Sequence, residues 1–150
     1  MSRNSNRRRA GFTLMEMMVV LAIIGTLAMV VGPSVFKHVG DANTTTAKSQ
    51  IEIFAVALDA YRLDTGRYPT TDEGLAALRV RPVGGEQPGW RGPYLRKVVP
   101  PDPWHRAYVY QAPGAHNPDS YDLYTLGRDG QPGGDGENAD VTSWGEAVKP

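Results

Sequence analysis

Apolar and polar positions fall into three regimes along the chain. The first is an apolar run over residues 12–31, twenty residues with one charge, Glu16. Twenty residues rising about 1.5 Å each cross the roughly 30 Å hydrocarbon layer of a bilayer, so the run predicts a membrane helix. Gly32-Pro33 should kink or loosen that helix, because proline lacks an N–H and crowds the preceding turn. Membrane helices tolerate this better than soluble ones. The second regime begins beyond Asp41-Ala42-Asn43. There Ala47, Ile51, Phe54, Leu58 and Tyr61 are spaced by four, three, four and three residues, and make one apolar stripe. Lys48, Gln50, Glu52, Asp59 and Arg62 fall largely elsewhere, so the stripe reads as core rather than as a cofactor site. Together the two regimes predict one long, bent helix from residue 12 to about 64, about 80 Å in length. Gly66 should close it in the left-handed conformation.

The third regime is loop-rich and holds most of the 17 Gly and 12 Pro. Thr70 and Glu73 have the Thr-x-x-Glu spacing of a capping box, which predicts a short helix to about Leu78 or Arg79. Residues 82–103 read as a Pro/Gly-rich loop anchored by Trp90 and Tyr94. Two strands follow, 106–111 with Tyr108 and Tyr110 on one face, and 121–126. Residues 113–118 join them as a hairpin. An acidic, Gly-rich loop runs over 127–140, and Trp144 is expected to close over the core. No internal repeat is present.

The leader settles orientation. Arg3, Arg7, Arg8 and Arg9 precede the apolar run with no acid among them. Positive charge stays on the cytoplasmic side, so the C-terminal bulk is translocated. A secretory signal would place its small-residue cleavage site after the apolar stretch. Here the small residue, Gly11, comes before it. A cut between Gly11 and Phe12 would leave 139 residues, keep the helix, and expose an α-amine on Phe12. That amine lies about one helical turn from Glu16. A carboxylate in a membrane helix costs about 2.5–3.5 kcal/mol and is functional by default; the plain alternative is a signal-anchor tolerating an acid near its end.

Charge and composition exclude other classes. The formal charge is zero, but without the leader twelve basic residues face sixteen acidic ones, a net charge near −4. An acidic domain is no nucleic-acid binder. There is no cysteine. An extracytoplasmic head without disulfides must cross-link itself otherwise or build enough core. Nothing marks an enzyme: His38, His105 and His116 are far apart, and neither a G-x-S-x-G elbow nor a P-loop occurs. Asp102-Pro103-Trp104 reads as a turn with a buried indole.

The acidic loop has four acids, an Asn and five Gly within residues 126–140. Calcium takes six to eight oxygens, mixing carboxylates, amides and carbonyls, and glycines allow the turns that aim carbonyls inward. Asp129 with Gln131, and Asn138 with Asp140, could supply oxygens from opposite limbs. The pattern is not an EF-hand. A solvated acidic loop is the other reading of the same composition, and the lack of disulfides favours an ion as staple.

Gly11-Phe12-Thr13-Leu14-Met15-Glu16 after a basic leader resembles the type IV pilin-like family. The resemblance implies cleavage between Gly11 and Phe12 by a prepilin peptidase and N-methylation of Phe12. It also implies that Glu16 joins subunits by pairing with a neighbour's Phe12 amine. Blocks further on narrow it: 68–75 (Tyr-Pro-Thr-Thr-Asp-Glu-Gly-Leu), Gly92-Pro93-Tyr94-Leu95, Asp102-Pro103-Trp104, and 124–130 (Tyr-Thr-Leu-Gly-Arg-Asp-Gly). These look like the major pseudopilin family of type II secretion systems. That family implies one structural Ca2+, held by the Leu126 carbonyl, the Asp129 carboxylate, the Gln131 carbonyl, and the side chains of Asn138 and Asp140. Asp135 or Glu137 could replace one of the last pair. Two departures stand out: His105 where Gly commonly follows Asp-Pro-Trp, and Arg128 where a small residue is usual.

The expectation is therefore an α+β, pilin-like fold. A long bent N-terminal helix, its first half in the membrane, packs on a small C-terminal antiparallel sheet with a calcium-binding loop. Residues 1–11 would be leader, 12–35 the transmembrane and filament-core half, and 36–150 the periplasmic head. The expected function is structural: a single-pass inner-membrane subunit that polymerises with copies of itself into a short periplasmic fibre for protein export. Partners would be the prepilin peptidase, the minor pseudopilins and the inner-membrane secretion platform, with no nucleic acid. One rival is a fibre for adhesion, motility or DNA uptake; another is a monomeric, membrane-anchored calcium-binding module.

Overall fold

The computed structural model describes residues 12–83 and 89–145, with backbone alone at 32–37. The chain divides into two compact units between His38 and Val39. Helix α1, Leu14–Thr65, contributes to both and is 52 residues long. Its backbone stays helical through Gly32 and Pro33, so the expected loosening does not interrupt it. In the first unit every residue from 12 to 31 is exposed. Among the described residues nothing covers this apolar surface.

The second unit has the core. Ala47, Ile51, Phe54, Leu58 and Tyr61 of α1 are all buried, as their spacing predicts. They meet a three-stranded antiparallel sheet of order β1-β2-β3: β1 is Val109–Gln111, β2 is Asp122–Thr125 and β3 is Val141–Thr142. Register pairs Tyr110 with Leu123 and Thr125 with Val141. Tyr108 and Tyr110 share the buried face while Val109 faces out. Phe54 and Tyr108 pack edge to face at 5.3 Å. The buried phenols keep partners: Tyr108 Oη donates to Gln50 Oε1 at 2.5 Å, and Tyr110 Oη to the Pro69 carbonyl at 2.8 Å. Burial pushes both phenols up from their ordinary pKa, and Tyr121 to about 12.

Several expectations change. The first strand starts at Val109, not 106, because Arg106 is held in a turn: its N–H donates to Asp102 Oδ1 and its carbonyl accepts from Asp102 N. Strand β3 was not expected; two residues give no alternation to read. The 70–73 capping box forms, with Glu73 N donating to Thr70 Oγ1 (3.3 Å) and Thr70 N to Glu73 Oε2 (2.8 Å). No α-helix follows it. Gly74 sits at φ 57°, outside the right-handed helical region, and the short helix ends at Leu78 as expected but is a 3-10 helix, Leu75–Leu78. Trp144 is not part of the core; it stacks on His116 at 4.1 Å and meets Tyr124 edge-on. Other anchors hold as read. Gly66 caps α1 at φ 81°, Trp90 Nε1 donates to the Ala77 carbonyl, and Tyr94 Oη to Asp64 Oδ2.

Candidate functional site

The N-terminal segment is built around one capping interaction. Thr13 Oγ1 accepts from Glu16 N at 3.1 Å, and α1 starts at Leu14. Thr13-x-x-Glu16 thus repeats the spacing of 70–73, a signal the sequence reading passed over. Glu16 falls in the first helical turn, where the helix dipole favours an anion. Phe12 is 78% exposed directly ahead of it. Residues 14–31, Leu14–Val31, form one helical stretch long and apolar enough to cross a membrane. Gly11 and the rest of the leader, with the bond to Phe12, lie outside the described residues.

The acidic loop lies at the other end of the chain, and its two limbs are brought together. Arg128 N donates to the Glu137 carbonyl at 2.8 Å. Gly127 packs so closely on Asn138 and Ala139 that a Cβ would fall 2.7 Å from the Ala139 carbonyl oxygen. Of the expected ligands, Asp129 Oδ1 accepts from Gln131 N at 3.0 Å, closing a local turn. Asp140 Oδ2 accepts from Gly133 N at 2.9 Å, while its Oδ1 is buried without a hydrogen-bond partner. Gln131 and Asn138 are exposed and Leu126 is half-buried. Glu137 is taken: its Oε2 pairs with Arg128 Nη1 at 3.0 Å, and its side chain fills the space beside Gly40 of α1. Among the described residues no three His, Cys, Asp or Glu side chains group to hold a metal. An ion here would draw mainly on carbonyl and amide oxygens.

Arg106, absent from the sequence reading of this loop, reaches it directly. Its Nη1 donates to the Gly127 carbonyl at 2.5 Å and its Nη2 to the Arg128 carbonyl at 2.7 Å. His105 beside it stands at φ 68°, a left-handed conformation suited to the glycine common at that place. Asp102 is 2% exposed; it accepts from Trp104 N and Arg106 N, and from the Thr125 hydroxyl. His116 Nδ1 lies 2.9 Å from Asp122 Oδ2. Among the described residues no histidine belongs to a group that could hold a metal.

A family model described as type II secretion system, protein G, matches residues 34–144. The chain belongs to the type II secretion system protein G family. A second model, the prokaryotic N-terminal methylation motif, matches residues 6–32. The type II secretion system core protein G of Pseudomonas aeruginosa is 45% identical over 139 residues, covering 92% of this chain and 96% of that one. The core protein G of Vibrio cholerae is 42% identical, covering 92% and 93%. The crystal structure of the major pseudopilin from enterohaemorrhagic Escherichia coli superposes with a TM-score of 0.57 at 34% identity, over 69% of this chain and 88% of that one. The fold is pilin-like: an apolar N-terminal helix with a small antiparallel sheet. The family member described here is a structural pseudopilin subunit of the secretion system, not an enzyme.

Proposed function

We propose that the chain is cut between Gly11 and Phe12 by a prepilin peptidase, methylated on Phe12, and held in the inner membrane by a single span with its head in the periplasm. The secretion platform and minor pseudopilins then help pack it, helix against helix, into a short periplasmic fibre that moves folded proteins outward. The observation that carries this reading is the first unit's surface: residues 12–31 are all exposed, mostly apolar with a single charge, and need an apolar environment. Lipid supplies it before assembly, and neighbouring helices afterwards. Glu16, at the start of the helix, pairs with the neighbour's Phe12 amine, because a buried charge is tolerable when paired and costly alone. On the head half of α1, Ile53, Val56 and Leu63 are 57%, 70% and 86% exposed, a second strip for lateral packing.

The acidic loop fits a calcium ion. Asp140 Oδ1, buried and unpartnered, is an oxygen whose desolvation needs a compensating ligand. Leu126, Asp129, Gln131, Asn138 and Asp140 would hold the ion, which would staple the loop's limbs without a disulfide. Glu137, engaged by Arg128, is left out of that set.

The assembly reading is tested with Glu16→Ala. Fibre formation and secretion should fail while the protein stays in the membrane; normal fibres would refute it. Intact-mass measurement should find the chain eleven residues shorter with one added methyl group. Adding a chelator should lower the head's melting temperature, and an unchanged melting curve ends the calcium reading.

A further inference from the structure

We propose that Arg106 and Arg128 form a built-in cationic brace that keeps the acidic loop folded when no ion is bound, with Arg106 a positioning residue for the loop. The description of the loop as an ion site rests on the preceding reading; the brace itself does not.

The base of the brace is the 102–106 turn. Arg106 is fixed on both sides by Asp102, whose Oδ1 accepts from Arg106 N and whose N–H donates to the Arg106 carbonyl, both at 2.7 Å. Asp102 is itself buried and tied to Thr125 in β2. From that base the guanidinium spans two successive carbonyls, Gly127 at 2.5 Å and Arg128 at 2.7 Å. A planar fork can do this; an ammonium cannot reach both with the same geometry. The fit is tight at Gly130, where a Cβ would lie 2.9 Å from Arg106 Cζ.

Arg128 carries the brace across. Its N–H and its side chain both hold Glu137 on the opposite limb. Glu137 in turn seats beside Gly40, where a Cβ would come within 2.2 Å of Glu137 Cγ. One limb is thereby fastened to the 102–106 turn, and the other to the first limb and to α1.

The charges agree with this division of labour. Asp129, Asp135, Glu137 and Asp140 are four negative charges, and Arg106 and Arg128 are two positive ones. The remainder, −2, is the charge one divalent cation would neutralise. Arg106 binds neutral carbonyls, so no candidate carboxylate is consumed by it.

The test is amide hydrogen exchange over residues 127–140 in the mature full-length protein in detergent, with EGTA and with calcium chloride. In EGTA, Arg106→Ala should exchange its loop amides at least about ten-fold faster than wild type, as loss of two charge-assisted bonds to one guanidinium implies. Arg106→Lys should lie near Arg106→Ala, and β2 amides should hold their rates. Equal loop rates for wild type and Arg106→Ala in EGTA would overturn the brace. If Arg106→Ala also loosens β2, Arg106→Lys decides: wild-type loop rates there refute the fork. Calcium should restore protection in Arg106→Ala. If it restores nothing while the EGTA difference stands, the brace holds and the calcium reading fails.

Discussion

Replacing Asp122 with Asn should cost about 2–4 kcal/mol at neutral pH. Asp122 begins β2 with its side chain 3% exposed, and the hairpin loop wraps around it. Oδ2 accepts from His116 N at 2.8 Å, while Oδ1 accepts from Asn117 N at 3.1 Å and Asn117 Nδ2 at 3.4 Å. Two backbone N–H groups thus point at the two oxygens of one carboxylate. An asparagine must turn its NH2 toward one of them, so one charge-assisted bond is lost and one donor is left unpaired. Each such loss is worth about 1.5–3 and 1–3 kcal/mol respectively, with partial relaxation bringing the sum to the stated range. The His116 ring adds little, because its side chain is 59% exposed. Burial pushes the Asp122 carboxyl up, but the donors of His116 and Asn117 outweigh it and hold it below its ordinary value of 3.8. The folded state therefore favours the ionised form. That stabilisation is complete above the unfolded value and is lost as pH falls through the folded one. Urea unfolding of the mature protein in detergent, followed by tryptophan fluorescence, measures the difference. Wild type and Asp122→Asn should differ at pH 7 and converge toward pH 3. A constant gap at both pH values, or none at pH 7, would refute the carboxylate's role.

Two further substitutions test local geometry. His105→Gly relieves a left-handed residue and should stabilise the head by about 0.5–1 kcal/mol after glycine's entropy cost, seen as a higher urea midpoint with unchanged slope. Gly40→Ala should displace Glu137, free Arg128, and speed protease cleavage within 127–140 several-fold, with α1 helicity by circular dichroism unchanged.

Much of the fold is legible because it rests on local periodicity and on residues with few conformational options. The 47–61 stripe could bury itself in only one way, and Tyr108 and Tyr110, two apart, had to share a sheet face. Gly66 ended α1 where its left-handed conformation was needed. What escaped reading depends on partners distant in sequence. Strand β3 exists because Val141 finds Thr125, and nothing in two residues announces that. Asp102 looked like a turn residue, yet it also fixes Arg106 and meets Thr125, 23 residues away. Trp144 was expected over the core; a large aromatic can as well stack on a surface histidine, as it does here.

The acidic loop shows why composition alone does not choose ligands. By sequence, Asp135 or Glu137 could stand in for Asn138 or Asp140. In the folded chain Glu137 is satisfied by Arg128 and Asp140 is left with a bare buried oxygen, so their availability to an ion differs in kind. The arginines decide this, one from within the loop and one from 21 residues before Gly127, by occupying some negative groups and carbonyls and leaving others. Asp140→Asn therefore separates the two acids. It keeps one acceptor for Gly133 N but removes the charge on the unpartnered oxygen. In chelator it should be neutral or slightly stabilising, since desolvating a charge costs more than desolvating an amide. With calcium it should lose most of the ion's protection. Glu137→Gln should instead weaken the loop modestly in both conditions, by about 0.2–1 kcal/mol, because it loses an ion pair whose arginine is 68% exposed rather than a ligand. Identical calcium responses from the two variants would show that the ion, if bound, does not distinguish them, and would remove Asp140 from the ligand set.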